Sequence, residues 1–466
     1  MATLPDRARV LIVHMPKIAA GINEIMVMPM GLFPISRALR GAGYDVEIVH
    51  FGIEKQLDPS FSVLHYIERQ RPLAVLLDLH WHHQTFSVLA AAQRIKRLLP
   101  HTAIVLGGLT ASCFHREIIE QLPFVDYVIR GDGERPAQEL LHVLTGEGRV
   151  DEVPNLTWRN NGDVRETPFG FRTGTDHAWP GHVELESLRH HEAYLSTALY
   201  GDFNERAGSS HQLGAAFYYN PGRGCTSGCV YCGGSAAAQR ATSDRRGAFF
   251  YPFDKLAEDI ERMQSYGVHT LRTSFDPDPE RGTYLELMAH LCQVGYRPRM
   301  VFDLWSLPTP AFVRAFAETF APSSILVLSP ESGSAEVRRR TRGFSFSNED
   351  VMDGIRLIED AGLEAHAFFT AGLPFEGEPE LAETASLISR IRHETHAEVS
   401  VAPVELDPGS PMHRHPERYG VTLRLNTLRD FYEAHRMPSA PGFGTALLSE
   451  PAILEAVERL RKCACT

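Results

Sequence analysis

The stretch Pro221-Gly222-Arg223-Gly224-Cys225-Thr226-Ser227-Gly228-Cys229-Val230-Tyr231-Cys232-Gly233-Gly234-Ser235 decides how the rest of the chain is read. It gathers three of the chain's seven cysteines at C-x-x-x-C-x-x-C spacing, with glycines on both sides and an aromatic residue before the last thiol. Three thiolates on one short loop, Cys225, Cys229 and Cys232, can hold three corners of a four-iron four-sulfur (4Fe-4S) cluster. The missing fourth thiolate leaves one iron open to a further ligand. A zinc site would ordinarily want four ligands in pairs, and no second C-x-x-C lies near. A disulfide would leave one thiol over and suits an exported chain. Glycines around all three thiols argue for a loop shaped about a ligand.

These residues resemble the signature of the radical S-adenosylmethionine (SAM) enzymes, with Tyr231 matching the aromatic that the family places before its third cysteine. The resemblance implies that Cys225, Cys229 and Cys232 ligate the cluster, that the open iron binds the amino and carboxylate groups of S-adenosyl-L-methionine, and that one electron cleaves its sulfonium to a 5′-deoxyadenosyl radical. It also implies an external electron donor such as flavodoxin or ferredoxin.

Composition bounds the remainder. A chain of 466 residues suggests two or three domains. No apolar run is long enough to span a bilayer, and Met1 to Arg9 carries charge without a cleavage-site pattern. Unpaired cysteines without an export signal lead us to expect a cytoplasmic protein that engages no membrane. A net charge of −12 speaks against nucleic acid as the main partner and leaves a small-molecule substrate.

Residues 1–145 alternate strand and helix. Val10-Leu11-Ile12-Val13-His14, residues 44–50, 72–79, 102–106 and 125–129 read as strands; 32–43 and 85–99 read as helices, the second with Thr85 as N-cap. Such alternation argues for an open parallel α/β sheet with its ligand beyond the strand C-termini. Over about residues 8–145 the order resembles the Rossmann-like (flavodoxin-like) cobalamin-binding domain that precedes the barrel in one branch of the radical SAM family. The resemblance rests on Pro29-Met30-Gly31-Leu32, on the Gly107-Gly108 turn and on Gly131-Asp132-Gly133-Glu134. The D-x-H-x-x-G motif that gives a histidine to cobalt in many cobalamin proteins is absent; Asp78-Leu79-His80 begins like it, without the glycine. Cobalamin is thereby an expected cofactor, with His80, Trp81, Gly107, Gly108, Thr110 and Ser112 as its candidate contacts. The polar residues among these could equally cap helices or close the loop.

Residues 146–215 lose periodicity and read as a linker. From 216 to 412 strand and helix alternate again: 217–219, 271–276, 299–304, 324–328, 364–369 and 397–402 make six strands, which fits the partial (β/α)6 barrel of radical SAM enzymes. Residues 413–466 read as a small helical C-terminal region. By the same resemblance, Gly233, Gly234 and Ser235, together with Ser274, Glu331, Arg342 and Pro374, are candidate SAM contacts, and Pro408-Gly409-Ser410-Pro411-Met412 resembles a closing motif. Glu331 could instead cap a helix, Arg342 could pair with Glu336 on a helix surface, and Pro374 could serve only its turn. Asp276 and Asp278, after the second barrel strand, are candidate catalytic carboxylates, or the acids of a proline-locked turn; Asp303 and Trp305 are similar candidates. Cys463 and Cys465 read as tail thiols or a soft-metal pair, and Cys113 and Cys292 as small apolar residues.

Taken whole, the resemblance implies a cobalamin-dependent radical SAM methyltransferase acting on unactivated carbon, or phosphorus, of a small molecule, often a natural product. The same architecture also serves cyclisation, rearrangement and transfer of the aminocarboxypropyl arm of SAM.

Overall fold

Residues 8–16, 27–174, 183–197, 215–434 and 441–465 are described by the structure, a computed structural model. The chain divides into two units, one of residues 1–202, 239–245 and 427–436, the other of 203–238, 246–426 and 437–466.

In the first unit the strands are β1 (Arg9–His14), β2 (Asp45–His50), β3 (Ala74–Asp78), β4 (Ala103–Gly107), β5 (Tyr127–Ile129), β6 (Leu156–Asn160) and β7 (Asp163–Glu166). Among the described residues they form one sheet in the order β2-β1-β3-β4-β5-β6-β7, parallel through β5. Val10 to Val13 are fully buried, and Ala74 to Leu77 nearly so, because helices cover both faces of a parallel sheet and leave no room for alternation. The helix expected over 32–43 spans Leu32–Gly41, and Gly43, at φ 95°, turns the chain into β2. Gln84, not Thr85, precedes the helix Thr85–Leu98; the Thr85 hydroxyl donates to the His82 carbonyl at 2.6 Å.

The order 2-1-3-4-5 is that of flavodoxin-like sheets, whose ligand crevice opens between β1 and β3, where the winding reverses. One segment departs from expectation. Within 146–215, β6 and β7 add an antiparallel hairpin to the sheet edge. Asn161 and Gly162 both have positive φ, 51° and 91°, as a two-residue type I′ turn requires.

In the second unit β8 (Ala216–Tyr218), β11 (Thr270–Thr273), β12 (Arg299–Leu304), β13 (Ile325–Glu331), β14 (Glu364–Ala371) and β15 (Glu398–Pro403) form an all-parallel sheet, each strand beside its predecessor, while β9 (Gly222–Gly224) and β10 (Ala248–Phe250) pair antiparallel. This is the partial barrel. Phe217, Leu271, Phe302, Leu326, Ala367 and Val401 face outward and are buried under the flanking helices. The alternate residues face inward and many stay half-exposed. Residues 413–466 are not helical alone: Val421–Leu423 pairs with Phe443–Thr445, and 427–436 belongs to the first unit. The helix Glu450–Cys465 packs on β14, β15 and the helix Glu378–Glu394.

Candidate cofactor sites

The cysteine loop of the second unit is held from all sides. Its entry needs glycine: a Cβ on Gly222 would sit 2.2 Å from the Phe249 carbonyl oxygen, and one on Gly224 2.2 Å from that of Gly247. The Val230 N–H donates to the Thr341 carbonyl, and the Met412 N–H to that of Val230, each at 2.9 Å. Cys225 and Cys229 are buried, Cys232 is partly so, and none of the three forms a disulfide, which removes the disulfide reading. The Ser227 and Gly234 N–H groups donate to the sulfurs of Cys225 and Cys232, each at 3.3 Å. Burial pushes the Cys229 thiol up against the opposing pull of Arg342. Burial, then Asp407, pushes that of Cys232 up. Buried thiols that need a cation to ionise, with N–H donors aimed at sulfur, fit an iron-sulfur cluster.

Around this loop the candidate SAM residues take definite places. Gly233 donates its N–H to Asp407 Oδ2 at 3.0 Å, and its missing Cβ would stand 2.8 Å from the Pro408 carbonyl oxygen. Ser235 is buried, its hydroxyl accepting from Ala238 N–H at 3.4 Å at the start of a helix. Glu331 ends β13 at φ 68°, a left-handed conformation unusual for a residue other than glycine. Its carboxylate meets Arg342 Nη1 at 2.8 Å, and the same nitrogen donates to the Ser329 carbonyl at 2.9 Å. Arg342 therefore turns inward, and it is Arg339 that pairs with Glu336 on the surface. Burial raises the Glu331 carboxyl and Arg342 opposes it. Pro374 lies in a turn whose first residue, Gly372 at φ 95°, faces Ile453 where a Cβ would be. Two acids escaped the sequence reading: Asp407, and the fully buried Glu376, which accepts from Gly372 N–H at 2.8 Å and is pushed up to about 7 by burial. Their signal was an acid beside each Gly-Pro turn.

The two candidate carboxylates part company. Asp276 is buried 2.7 Å from Arg281 Nη2 and accepts from Trp305 N–H at 2.9 Å; burial, opposed by Arg281, lifts it to about 6. Asp278 accepts from Glu280 and Gly282 N–H at 3.1 and 2.9 Å at a helix start. Ser274 hydrogen-bonds Tyr218, and its carbonyl accepts from the Trp305 indole at 2.8 Å. Cys292 is exposed, not packed as a small apolar residue; Cys463 is half-buried on the last helix, and the Cys465 side chain lies outside the described residues.

In the first unit the strand ends at the switch point carry His50, His14 and Asp78 on β2, β1 and β3. His14 Nδ1 lies 2.9 Å from Asp78 Oδ2, its ring is 4.5 Å from that of His50, and its Nε2 is buried with no hydrogen-bond partner. An orphaned imidazole nitrogen at this crevice fits a large polar ligand. In sequence His14 reads as no more than the last residue of an apolar strand, which conceals it. His80 and Trp81 donate their N–H groups to Gln84 Oε1 at 3.2 and 3.0 Å. Thr110 donates its hydroxyl to the His80 carbonyl at 3.0 Å; Ser112 donates to the Gly108 carbonyl at 2.7 Å and accepts from Gly131 N–H at 2.9 Å. Gly107 ends β4, and Gly108 (φ 104°) lies where a Cβ would stand 2.7 Å from His80 Cα. These residues brace the loops that frame the crevice.

Residues 25–141 match the B12 binding domain and residues 219–388 the radical SAM superfamily. Hopanoid C-3 methylase of Methylococcus capsulatus is 26% identical over 241 residues, 52% of this chain and 41% of that protein. The anaerobic magnesium-protoporphyrin IX monomethyl ester cyclase of Synechocystis is 27% identical over 168 residues, 34% and 32% of the two. The matched regions span less than half the length of either relative. Among solved structures, the radical SAM methyltransferase TsrM from Kitasatospora setae, with tryptophan and a SAM analogue, superposes with TM-score 0.69 at 16% identity, over 98% of this chain and 88% of that one. The cobalamin-dependent SAM radical enzyme OxsB gives 0.67 at 15%, over 98% and 66%. These likenesses show a shared fold.

Proposed function

Because the chain carries a B12-binding domain and a radical SAM domain, whose cofactors are cobalamin, a 4Fe-4S cluster and SAM, we propose that it is a radical SAM methyltransferase acting on an unactivated carbon, or phosphorus, of a small-molecule, natural-product type substrate. The observation that carries this reading is the pairing of a three-thiol loop lacking a fourth thiolate with a flavodoxin-like crevice on one chain. When bound, these groups supply one-electron cleavage of a sulfonium and a carrier for a methyl group.

The protein's own residues position and shield. Cys225, Cys229 and Cys232 would hold the cluster. Gly233, Gly234 and Ser235 form the turn beyond it, and Glu331, Arg342, Ser274 and Pro374 would border the SAM site. Glu331 and Arg342 fix each other and so present a defined polar edge without net charge. Asp276, locked to Arg281, serves as a support for the loop after β11 rather than as a free base. His14 with Asp78, and the braced His80, Trp81, Gly107, Gly108, Thr110 and Ser112, would border cobalamin. The buried residues about the cysteine loop, Cys225, Cys229, Ser235 and Glu331, would exclude water from reactive species. An electron donor such as flavodoxin or ferredoxin and a cytoplasmic setting belong to the same proposal. The methylase and TsrM support methyl transfer; the cyclase supports a second reading in which the same architecture works without it.

Mass spectrometry of SAM-derived products from anaerobically reconstituted protein, with cobalamin and a strong reductant, separates them. S-adenosylhomocysteine together with 5′-deoxyadenosine is the expected result. 5′-Deoxyadenosine alone sinks methyl transfer.

A further inference from the structure

Two short segments of the second unit grip the cysteine loop at one residue. The helix Ala335–Arg342 accepts the Val230 N–H on its Thr341 carbonyl, and the helical turn Pro411–Arg414 donates its Met412 N–H to the Val230 carbonyl, each at 2.9 Å. The Val230 N–H belongs to the peptide that joins Val230 to Cys229. Thr341 is thus one hydrogen bond from the main chain of a candidate cluster ligand. The loop reaches the surface at the same place: Gly228 is exposed, and a Cβ on it would stand 3.8 Å from the Arg342 carbonyl oxygen.

Both gripping segments carry exposed arginines, Arg339 and Arg340 on the helix, Arg414 and Arg418 on the turns Pro411–Arg414 and Pro416–Tyr419. Arg339 is paired with Glu336 at 2.7 Å. Among the described residues, Arg340, Arg414 and Arg418 pair with no carboxylate. Two of these three are stacked instead. The Arg340 guanidinium lies 3.4 Å from the centre of the Phe375 ring and that of Arg418 5.7 Å from the centre of Tyr419, with the two rings 6.4 Å apart. The stack joins the two segments across the turn that follows β14. Phe375 takes φ 70°, a left-handed backbone that a bulky residue rarely adopts, and its ring stays half-buried under the guanidinium. Stacking orders a guanidinium but leaves its N–H edge and its charge free, whereas an ion pair would neutralise it. Arginines in the last turn of a helix also complement its dipole, which accounts for neither Arg414 and Arg418 nor the stack. Glu336 and Glu417 are the acids on these segments, so four positive charges stand against two on a chain whose net charge is −12.

We propose that this surface, Arg340, Arg414 and Arg418 about the Phe375–Tyr419 stack, docks a small acidic one-electron carrier protein that reduces the cluster held by the cysteine loop. The proposal rests on the enzymatic reading above and gives its electron donor a landing place. One electron leaves the carrier, which is oxidised by one, and enters the cluster, which is reduced by one; no bond breaks in that step. Encounters of this kind bury little surface and take their rate from charge.

The probe is fully reduced flavodoxin mixed with the anaerobically reconstituted protein. The readouts are the rate at which the visible absorbance of the cluster bleaches and the retention of flavodoxin by the immobilised protein. In the parent both should fall several-fold between about 10 and 100 mM salt, where the screening length shrinks from ~30 to ~10 Å. Arg340→Glu, Arg414→Glu and Arg418→Glu combined should slow bleaching about tenfold or more, and Arg340→Ala alone roughly threefold. Photoreduced deazaflavin, a small reductant that needs no docking surface, should bleach parent and variants alike. Iron content and far-UV circular dichroism identify a triple variant that fails to fold, and Arg340→Ala then carries the test. Folded variants that take electrons from flavodoxin like the parent, a rate indifferent to salt, no transfer from flavodoxin at all, or equal slowing with deazaflavin overturns the proposal. SAM cleavage after deazaflavin reduction separates the two readings. Cleavage in protein that flavodoxin does not reduce sinks the docking surface alone; no cleavage in reduced protein sinks the enzymatic reading beneath it.

Discussion

The two parallel sheets of this chain are made by the same alternation of strand and helix, yet they offer ligands different surfaces. In the first unit both faces are sealed and the polar groups collect at strand ends, His50, His14 and Asp78, beside a switch in winding. In the second the strands follow one another without a switch, and several inward residues, among them Tyr218, Arg272 and Asp303, stay half-exposed. A sheet wound in two directions makes a crevice at its edge-on end; a sheet wound in one direction makes a hollow. The first suits a large flat cofactor, the second a small molecule enclosed on several sides.

Substitutions sharpen that contrast, and the largest effect belongs to the hollow. Cys229→Ala should abolish both the visible absorbance of the reconstituted cluster and SAM cleavage, leaving the first unit's cobalamin binding intact. Arg342→Met strands a buried Glu331 carboxyl and should cost on the order of 3–5 kcal/mol in denaturant unfolding. Glu376→Gln tests the same unit by pH. Its folded carboxyl is raised from 4.5 to about 7, so its contribution to stability is full below about pH 4.5 and is lost as pH rises through about 7. The Gln variant should flatten that fall, which at ~1.4 kcal/mol per unit is on the order of a few kcal/mol. At the crevice, His14→Ala leaves Asp78 without its ring partner; a loss of about 1–3 kcal/mol and weaker cobalamin retention are expected, with iron content unchanged. Cys292→Ser, at an exposed site, should alter neither cofactor nor thermal midpoint.

Periodicity and punctuation made the two sheets legible. Short, near-continuous apolar runs such as Val10 to Val13, alternating with helical periods, read as strands buried on both faces, and the cysteine spacing needed no structure to be seen. What stayed hidden depends on pairing at a distance. The β6–β7 hairpin reads in sequence as part of a linker although Asn161-Gly162 is a strong hairpin signal, because β6 and β7 are only 5 and 4 residues long and β7 is mostly exposed, so the pair carries little apolar pattern. Arg342 could face Glu336 or Glu331, and only the left-handed turn at Glu331 brings the second within reach. The Arg272–Asp303 contact joins residues on neighbouring strands with no sequence cue to link them.

The central claim is that each sheet serves its own metal group. Iron, sulfide, cobalt and zinc analysis of the anaerobically reconstituted protein, beside a variant with Cys225, Cys229 and Cys232 all changed to alanine, tests it most directly. The account predicts about four iron and one cobalt per chain in the parent, and the same cobalt with no iron in the variant. Zinc in place of iron, iron that survives loss of the three thiols, or cobalt that leaves with the iron would contradict it.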